Sequence, residues 1–566
     1  CAGMDCSELW DAISEGRDGL GRFERFSTAD LNTHVGGVVP SFDNTDLSYR
    51  QLCIEFAVRA AHEAMHQASI IDANLSEKRI ALVLGVRAPE LHMEPREITE
   101  AVGDRLHIKG TRLSIVTACS SSAAAIGLGR ELIQMGAADL VLAGGTDVLS
   151  PELMAGFNAL GVLSYEKCAP FSRTEGTTLS EGAGIVVLEE RHEASKRGVA
   201  PLAILLGFGM SGDAYHETSP PPGGEGLVRA MVGALGDSGI TERSIGYINT
   251  HGTGTVANDR SEWNAIVSMV GENVPISATK SLIGHAQCAA GVLEFIVSIM
   301  AMSRGVLPPT VNSTGARPHC PIDVVNGTAP KPHKYNIAFA NNAAFGGSNT
   351  SLVVATANTQ VQFPKRAMRV VKVLGIGLLG SFGLDVNALE QALREGEPLK
   401  RCMPTFSIQK RVPRVNPVGL NPMTQFLTTA ASDALKNAAV RVRGTLRERT
   451  GLIVGVNGVS ETSSHLFHES IRQRGLARLS SVAFTQMVPN AAAGKCAILL
   501  SLRGPQTVMT SGAGSGLAAI ISASRWLSSR SDADLMLAGG VDEKRELVAP
   551  EDSEGAGCLC LAHEDY

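Results

Sequence analysis

Aromatic residues are scarce in this chain, at 4% of 566 residues, whereas glycine is abundant, with 60 residues. Because small side chains let helices approach a sheet closely, this composition favours tightly packed α/β layers. With 44% hydrophobic and 19% charged residues, the chain can form sizeable cores, and its length predicts more than one domain.

The eleven cysteines form no C-x-x-C pair and are not spaced like the ligands of a metal site. We therefore expect reduced thiols, as in a cytoplasmic protein, and no metal site. The start of the chain shows no basic segment followed by an apolar core, which predicts no signal peptide. The longest apolar stretch, Val292 to Met302, is short and contains Glu294, which predicts no membrane span. A net charge of −6 predicts no nucleic-acid partner.

Apolar runs alternate with helical patterns over the first 357 residues. Fully apolar strands between helices are typical of α/β sheets that are covered on both faces. The pattern restarts near residue 202, so we predict two α/β halves, a first half at 1–195 and a second half at 196–357. The predicted strands are 79–85, 113–116, 138–145, 182–188, 202–209, 245–250 and 336–340, and the main predicted helices are 7–17, 51–69, 224–235 and 289–304.

The chain then repeats its own beginning after a polar linker at 358–368. The motif ADLVLAGGTD at 138–147 recurs as ADLMLAGGVD at 533–542, and SEGAG at 180–184 recurs at 553–557. Nothing that resembles the second half follows. Residues 369–566, here called the repeat, are therefore predicted to be an incomplete copy of the first half.

A cysteine, Cys119, stands between a predicted strand and a predicted helix. Backbone N–H groups converge at such a turn, and their partial positive charge favours a thiolate, the nucleophilic form. A small buried packing residue is the alternative, since free cysteine is among the most buried side chains. The local stretch does not decide between the two.

Three further clusters follow Cys119 in order: HGTGT at 251–255, KSLIGH at 280–285 and FGGSN at 345–349. Together with TACSSS at 117–122 they resemble the decarboxylating β-ketoacyl-[acyl-carrier-protein] synthases, the elongating ketosynthases of fatty-acid and polyketide assembly. The resemblance covers almost all of 1–357. It implies a thiolase-like fold, with two pseudo-symmetric βαβ halves and a layered α/β/α/β/α core, to which the repeat adds another copy of the first half.

The resemblance also implies a role for each catalytic residue. Cys119 takes an acyl group from a carrier-protein thioester, and the backbone N–H groups of Cys119 and Phe345 stabilise the oxyanion. His251 and His285 hold the malonyl thioester and stabilise the enolate that forms when carbon dioxide leaves. Phe345 resembles the gating residue beside the nucleophile.

Supporting roles are implied as well. Lys280 supports the electrostatics around His285 and Glu262, or forms an ion pair that holds two loops together. The substrate-binding positions that the resemblance implies are Thr253, Thr255, Gly346 and Gly347. The two threonines bind the phosphopantetheine arm of acyl carrier protein, or cap turns. The enzyme itself is expected to need no cofactor.

The repeat lacks a nucleophile at the turn that corresponds to Cys119. Counting back from Asp542 places Gly514 opposite Cys119, and a one-residue shift places Ala513 there. Neither histidine motif recurs, so the repeat is predicted to be inactive. We expect it to occupy the partner position against 1–357, within one chain or in a dimer, like a chain-length factor. The alternative is a degenerate duplication that only completes the fold.

Other functions remain open at this point. A non-catalytic scaffold that binds carrier proteins has no need for Cys119, His251 and His285 together. The thiolases and the acyl-CoA-primed initiating synthases use different second-half motifs. The segments 88–97 and 165–168 are short for the elongating family, which indicates a trimmed member or missing segments.

Overall fold

The computed structural model of the protein describes residues 1–70, 78–90, 93–318, 320, 327–361, 363–364, 368–396, 403–544 and 554–566. Ser553 of the recurring SEGAG motif lies outside these ranges, as do residues 362 and 365–367 of the predicted linker.

The first half alternates helices and strands as the sequence predicts. Its second helix begins with a capping box, in which the side chains of Ser48 and Gln51 each bond the other's backbone N–H, and its first helix ends at Gly16, whose φ is +62°. The elements are α1 (Cys6–Glu15), α2 (Tyr49–Gln67), β1 (Ile80–Gly85), α3 (Arg96–Arg105), β2 (Arg112–Ile115), α4 (Ser121–Gln134), β3 (Leu140–Asp147), α5 (Pro151–Ala159), β4 (Gly182–Glu189) and α6 (Arg191–Lys196).

The second half builds a separate five-stranded sheet in the order β5-β11-β10-β6-β7. Its elements are β5 (Ala203–Gly212), α7 (Glu225–Ser238), β6 (Tyr247–Asn249), α8 (Val256–Val270), β7 (Ile276–Ser277), α9 (Lys280–Ile283), α10 (Ala290–Arg304), β8 (Val306–Leu307), β9 (Lys331–Pro332), β10 (Ile337–Ala343) and β11 (Ser348–Thr356).

The repeat follows the order of the first half but has a longer excursion between its first two parallel strands. Two helices, α14 (Glu461–Arg474) and α15 (Ser481–Gln486), lie in that excursion. The elements are β12 (Val371–Gly380), α11 (Val386–Glu395), α12 (Ile408–Arg411), α13 (Pro422–Asn437), β13 (Thr450–Gly455), α14 (Glu461–Arg474), α15 (Ser481–Gln486), α16 (Ala491–Leu500), β14 (Gln506–Thr510), α17 (Ser515–Ser529), β15 (Leu535–Asp542) and β16 (Gly555–His563).

The first half and the repeat share one nine-stranded sheet, ordered β12-β16-β15-β13-β14-β2-β1-β3-β4. The two parts meet where β14 pairs antiparallel with β2, with Met509 opposite Ile115 and Thr510 opposite Ser114. The backbone N–H of Val116 continues this seam to the carbonyl of Val508 at 2.9 Å. The repeat therefore occupies the partner position within one chain, as predicted.

Five layers result. Helices α2 and α13 cover one face of the nine-stranded sheet, and α4, α10 and α17 lie on its other face. The five-stranded sheet covers this middle helical layer, and α7 and α8 form the outermost layer. The predicted α/β/α/β/α core is confirmed.

One helix face differs between the two copies. In α1, Leu9, Ala12 and Ile13 are buried against residues of the second half. Helix α11 of the repeat carries the echoed pattern but buries none of its residues, and its Leu393 is 70% exposed. The described part of the repeat provides no second half that could cover this face.

One helical segment in the described part of the chain is long and apolar enough to cross a membrane, Gln287–Arg304. Two thirds of it is buried inside the fold. Helix α10, which makes up most of this segment, packs in the middle layer between the two sheets, which accounts for its composition.

Candidate active site

The turn after β2 holds Cys119 in a constrained backbone. Ala118, just before it, has φ +52°, which is a left-handed conformation that a residue with a Cβ rarely adopts. The Ser121 hydroxyl donates to the Ala118 carbonyl at 2.6 Å and helps to hold the turn. Gly85 at the end of β1 allows the close approach of α4, because a Cβ there would lie 2.4 Å from the Ser122 nitrogen. Cys119 is thus presented at the start of α4.

The thiol of Cys119 is buried, with 5% of the residue exposed. It donates to Oε1 of Gln287 at 3.7 Å. Burial raises the pKa of Cys119 to about 12, although Lys280 and a backbone hydrogen bond act in the opposite direction. Burial therefore disfavours a thiolate in the resting state, because loss of hydration outweighs the positive end of the turn. Gln287, with φ +48°, was not predicted as a site residue.

His251 follows β6 and is held by a carboxylate. Glu262 of α8 accepts from the backbone N–H groups of His251 at 2.7 Å and Gly252 at 2.8 Å. Burial raises the pKa of Glu262 to about 7. Burial, Lys280 and His285 hold the pKa of His251 well below its usual range, so its imidazole is neutral.

Lys280 is fully buried and forms its ion pair with Glu294 of α10. Its ammonium also donates to the His251 carbonyl at 2.6 Å. Its charge acts on the pKa values of both Glu262 and His285, while its direct ion pair is with Glu294. Glu294 was noticed in the sequence only as an interruption of an apolar helix. A carboxylate inside a buried helix was the signal that could have identified it.

His285 stands beside His251, with ring centroids 5.3 Å apart and planes at 85°. Its backbone N–H donates to the Thr178 carbonyl at 2.8 Å. Burial, with Lys280, lowers the pKa of His285 well below its usual range. Its Nδ1 is buried and has no hydrogen-bond partner within the part of the chain that the structure describes.

Thr253 and Thr255 lie in the turn that leads into α8. Their hydroxyls are 3.0 Å apart, and Thr255 caps the helix by accepting from the Asn258 N–H at 3.4 Å. The structure thus shows the turn-capping alternative. Binding of a phosphopantetheine arm stays a prediction.

The loop of Phe345, Gly346 and Gly347 joins β10 to β11. Both glycines need their conformation, with φ +79° and +72°. The Phe345 ring stacks on Phe157 at 5.4 Å between centroids. The loop therefore places an aromatic ring beside the cavity that contains Cys119.

The structure resolves which residue of the repeat matches Cys119. Strand β2 pairs Leu82 with Arg112, and β14 pairs Leu452 with Gln506, an offset of 394 residues between the second members. Gly512, with φ +71°, then matches Ala118, so Ala513 matches Cys119. Ala513 is exposed, unlike the buried cysteine. The repeat has the same left-handed turn, but the residue that follows it carries no sulfur and is not buried.

A cavity of about 510 Å³ opens at Cys119 and crosses into the repeat. Phe345 and Gln287 line it on one side. Its opposite wall comes from the excursion of the repeat: Val459, Ser464, Phe467, His468, Phe484 and Met487. The repeat therefore supplies part of the cavity's surface. No group of three or more His, Cys, Asp or Glu side chains that could hold a metal ion occurs among the described residues.

Comparison with known proteins identifies the family. The profile described as "Beta-ketoacyl synthase, N-terminal domain" matches residues 1–194 and again 404–547, and "Beta-ketoacyl synthase, C-terminal domain" matches 202–314. The chain belongs to the β-ketoacyl synthase family. This ketosynthase is an acyltransferase-class enzyme of fatty-acid or polyketide synthesis.

Individual relatives agree with this assignment. The ketosynthase is 33% identical over 393 residues to "3-oxoacyl-[acyl-carrier-protein] synthase 2" of Vibrio cholerae. The aligned region covers 62% of this chain and 95% of that protein. Among solved structures, "The ishigamide ketosynthase/chain length factor" is 30% identical, with a TM-score of 0.59 over 63% of this chain and 96% of that one. The "PfaC Keto synthase-Chain length factor" matches 99% of this chain and 77% of that one, with a TM-score of 0.77 at 16% identity. This last likeness shows the fold, including the repeat.

Proposed function

We propose that this ketosynthase condenses an acyl group held on Cys119 with a malonyl group presented by acyl carrier protein, releasing carbon dioxide and a 3-oxoacyl-carrier protein. The observation that carries the proposal is one contiguous buried cluster. Cys119 bonds Gln287, Gln287 donates to the carbonyl of His285 at 3.3 Å, and the His285 ring meets His251.

In the first step, Sγ of Cys119 attacks the carbonyl carbon of the incoming acyl thioester. A new carbon–sulfur bond forms, and the phosphopantetheine thiol leaves with the proton that Cys119 gives up. The N–H groups of Cys119 and Phe345 stabilise the oxyanion in between. Because the resting thiol is protonated, this step needs a proton acceptor, and the leaving thiolate completes the balance.

In the second step, the neutral imidazoles of His251 and His285 donate hydrogen bonds to the malonyl thioester carbonyl. The carbon–carbon bond to the carboxylate breaks, carbon dioxide leaves, and the electron pair stays as an enolate. The enolate carbon attacks the acyl carbon, the carbon–sulfur bond breaks, and the sulfur of Cys119 leaves as a thiolate that takes up one proton from solvent to restore the resting thiol. Neutral donors suit this step because they stabilise the enolate without attracting the departing carboxylate as cations do.

The remaining site residues orient these groups. Lys280 donates to the carbonyl of His251, and Glu262 accepts from its backbone N–H. Both residues therefore contribute to the reaction by positioning His251. Gly346 and Gly347 let the backbone approach the substrate. Thr253 and Thr255 bond the phosphopantetheine arm that carries the substrate. The reaction uses no metal or bound cofactor of the enzyme, and we place the protein in the cytoplasm, where soluble carrier proteins are loaded.

The repeat acts in this proposal as a chain-length-factor-like partner. The support is the wall that α14 and α15 contribute to the cavity at Cys119, since an acyl chain on the sulfur would extend along it. A duplication that merely completed the fold would have no reason to line this cavity.

The condensation is tested by incubating the protein with malonyl-loaded carrier and a panel of acyl-loaded carriers, followed by intact mass of the protein and chromatography of the products. We expect an acyl mass on the fragment that contains Cys119, and its loss in Cys119→Ala. Cys53→Ala, at a buried cysteine outside the site, should retain it. Unmodified wild-type protein with every acyl carrier would refute the proposal.

The partner role is tested on one helix of the repeat. His468 lines the cavity, whereas His465 on the same helix faces solvent. His468→Trp should shorten the longest product by filling the cavity, while His465→Trp should leave the product distribution unchanged. Identical product lengths from both variants would reduce the repeat to a structural role.

A further inference from the structure

The first helix turn of α16 in the repeat lies against the Phe345 loop. Asn490 is fully buried at the N-cap of α16, and its Nδ2 donates to the Phe345 carbonyl at 2.8 Å. An N-cap asparagine usually accepts from a backbone N–H of its own helix and so stabilises that helix. Asn490 makes no such side-chain bond. Its side chain forms a hydrogen bond with the Phe345 loop instead.

Gly494, one turn further along α16, permits this contact. A Cβ there would lie 2.7 Å from both Cα and the carbonyl oxygen of Gly346. Glycine inside a helix is destabilising relative to alanine. Close approach of the helix backbone to the loop explains the glycine at this position.

Two more groups of the repeat hold the same loop. Nε2 of Gln506 lies 3.4 Å from the Gly346 carbonyl. Lys495 forms an ion pair with Glu217, and the carbonyl of Glu217 accepts from the Gly346 N–H at 2.8 Å. The repeat therefore bonds the loop directly at the carbonyls of Phe345 and Gly346, and Lys495 also pairs with the side chain of the residue that accepts from the Gly346 N–H.

The corresponding helix of the first half lacks these groups. At the offset of 394 residues given by the strand register, the first half has Arg96 where the repeat has Asn490, and Glu100 where α16 has Gly494. The described repeat has no second-half loop that α3 could hold. Of these two corresponding helices, α16 is therefore the one that contacts the candidate active site.

We propose that Asn490 and Gly494 are positioning residues of the condensation, acting from the repeat on the Phe345 loop. The proposal rests on the proposed function, in which Phe345 supplies an oxyanion N–H and gates the cavity. The hydrogen bond to the Phe345 carbonyl orients the peptide group between Phe345 and Gly346. The close contact of Gly494 with Gly346 sets the distance between the loop and the cavity. The catalytic site is then built from both copies.

Two variants of Asn490 test this without removing a helix-capping residue type. Asn490→Asp replaces the donor with a carboxylate that repels the Phe345 carbonyl, and Asn490→Ser is too short to reach it. We expect kcat for condensation to fall about tenfold or more, as when an oxyanion donor is displaced, and KM for malonyl-carrier to stay within about threefold. Hydrogen exchange of the peptide that contains residues 344–349 should accelerate.

The matched control is Asn421→Ala, at another buried N-cap of the repeat. Asn421 caps α13 and donates to Ser463 at 2.9 Å, away from the loop. It should lower the melting temperature but leave kcat per folded molecule and the 344–349 exchange unchanged.

The exchange measurement needs no substrate, so it separates the two hypotheses. If wild-type protein transfers no acyl group but the Asn490 variants still loosen the 344–349 peptide, the proposed function fails and the positioning contact stands. If kcat and loop exchange in both Asn490 variants match wild type, the positioning role is overturned.

Discussion

The ammonium of Lys280 lies 3.2 Å from Nδ1 of His251 and 2.6 Å from that residue's carbonyl oxygen. An ammonium group only donates hydrogen bonds, so Nδ1 of His251 accepts and the ring proton sits on Nε2. The lysine thus fixes the tautomer of a neutral histidine, and Glu294 holds the lysine in turn.

Removing Lys280 should cost stability because Glu294 would remain buried without its partner. We expect Lys280→Met to lower the free energy of unfolding by about 3–5 kcal/mol, the range for a broken buried pair. Denaturant titration measures it. Lys196→Met, in the exposed pair with Glu193, should leave the free energy of unfolding nearly unchanged. Equal effects of the two variants would contradict a buried pair at Lys280.

Alkylation of Cys119 should depend on pH far into the alkaline range. Because burial raises its pKa to about 12, the thiolate fraction rises about tenfold per pH unit below that value. Iodoacetamide labelling, followed by peptide mass between pH 7 and 10, should show this slope without a plateau. A plateau below pH 9 would mean that the positive groups around Cys119 outweigh its burial.

Asp213, in the loop after β5, should make stability depend on pH. Burial raises its pKa from 3.8 to about 7, although Asn349 donates to it. The folded state then binds the proton more tightly than the unfolded state, so ionisation reduces stability as the pH rises from about 4 to about 7. Asp213→Asn should therefore melt above wild type at pH 8, with a smaller difference at pH 5. A difference that does not change with pH would rule out this titration.

A cysteine at the matching turn of the repeat should be reactive but not catalytic. The double variant Cys119→Ala/Ala513→Cys places an exposed thiol where no histidine cluster exists among the described residues of the repeat. We expect faster labelling of residue 513 by iodoacetamide at pH 7.5 than of Cys119 in wild type, and no acyl group from acyl carriers. Acylation at residue 513 would show that the nucleophile turn suffices for transfer.

Motif order identified Cys119, His251 and His285, which the structure brings into one buried cluster, because these residues stand in contiguous local signatures. The layers were also predictable, since fully apolar strands such as 138–145 need cover on both faces. From the sequence alone, either Gly514 or Ala513 could match Cys119, because the two alignments differ by one residue. The strand register and the left-handed turn at Gly512 decide for Ala513.

Other features depend on contacts between distant parts of the chain. Glu294 has no motif of its own, and its pairing with Lys280 arises from the packing of α10. Asn490 reaches Phe345 across 145 residues of sequence. The protonated state of Cys119 follows from burial by the surrounding layers, and a local argument from the helix start misses that contribution.

The seam between β2 and β14 joins two parts of a single polypeptide. Separate subunits would associate to an extent set by their concentrations, whereas tethered partners meet at an effective concentration set by the connecting chain. Dilution therefore does not separate the nucleophile-bearing part from its inactive companion. Synthesis of one chain also fixes the ratio of the two parts at one to one.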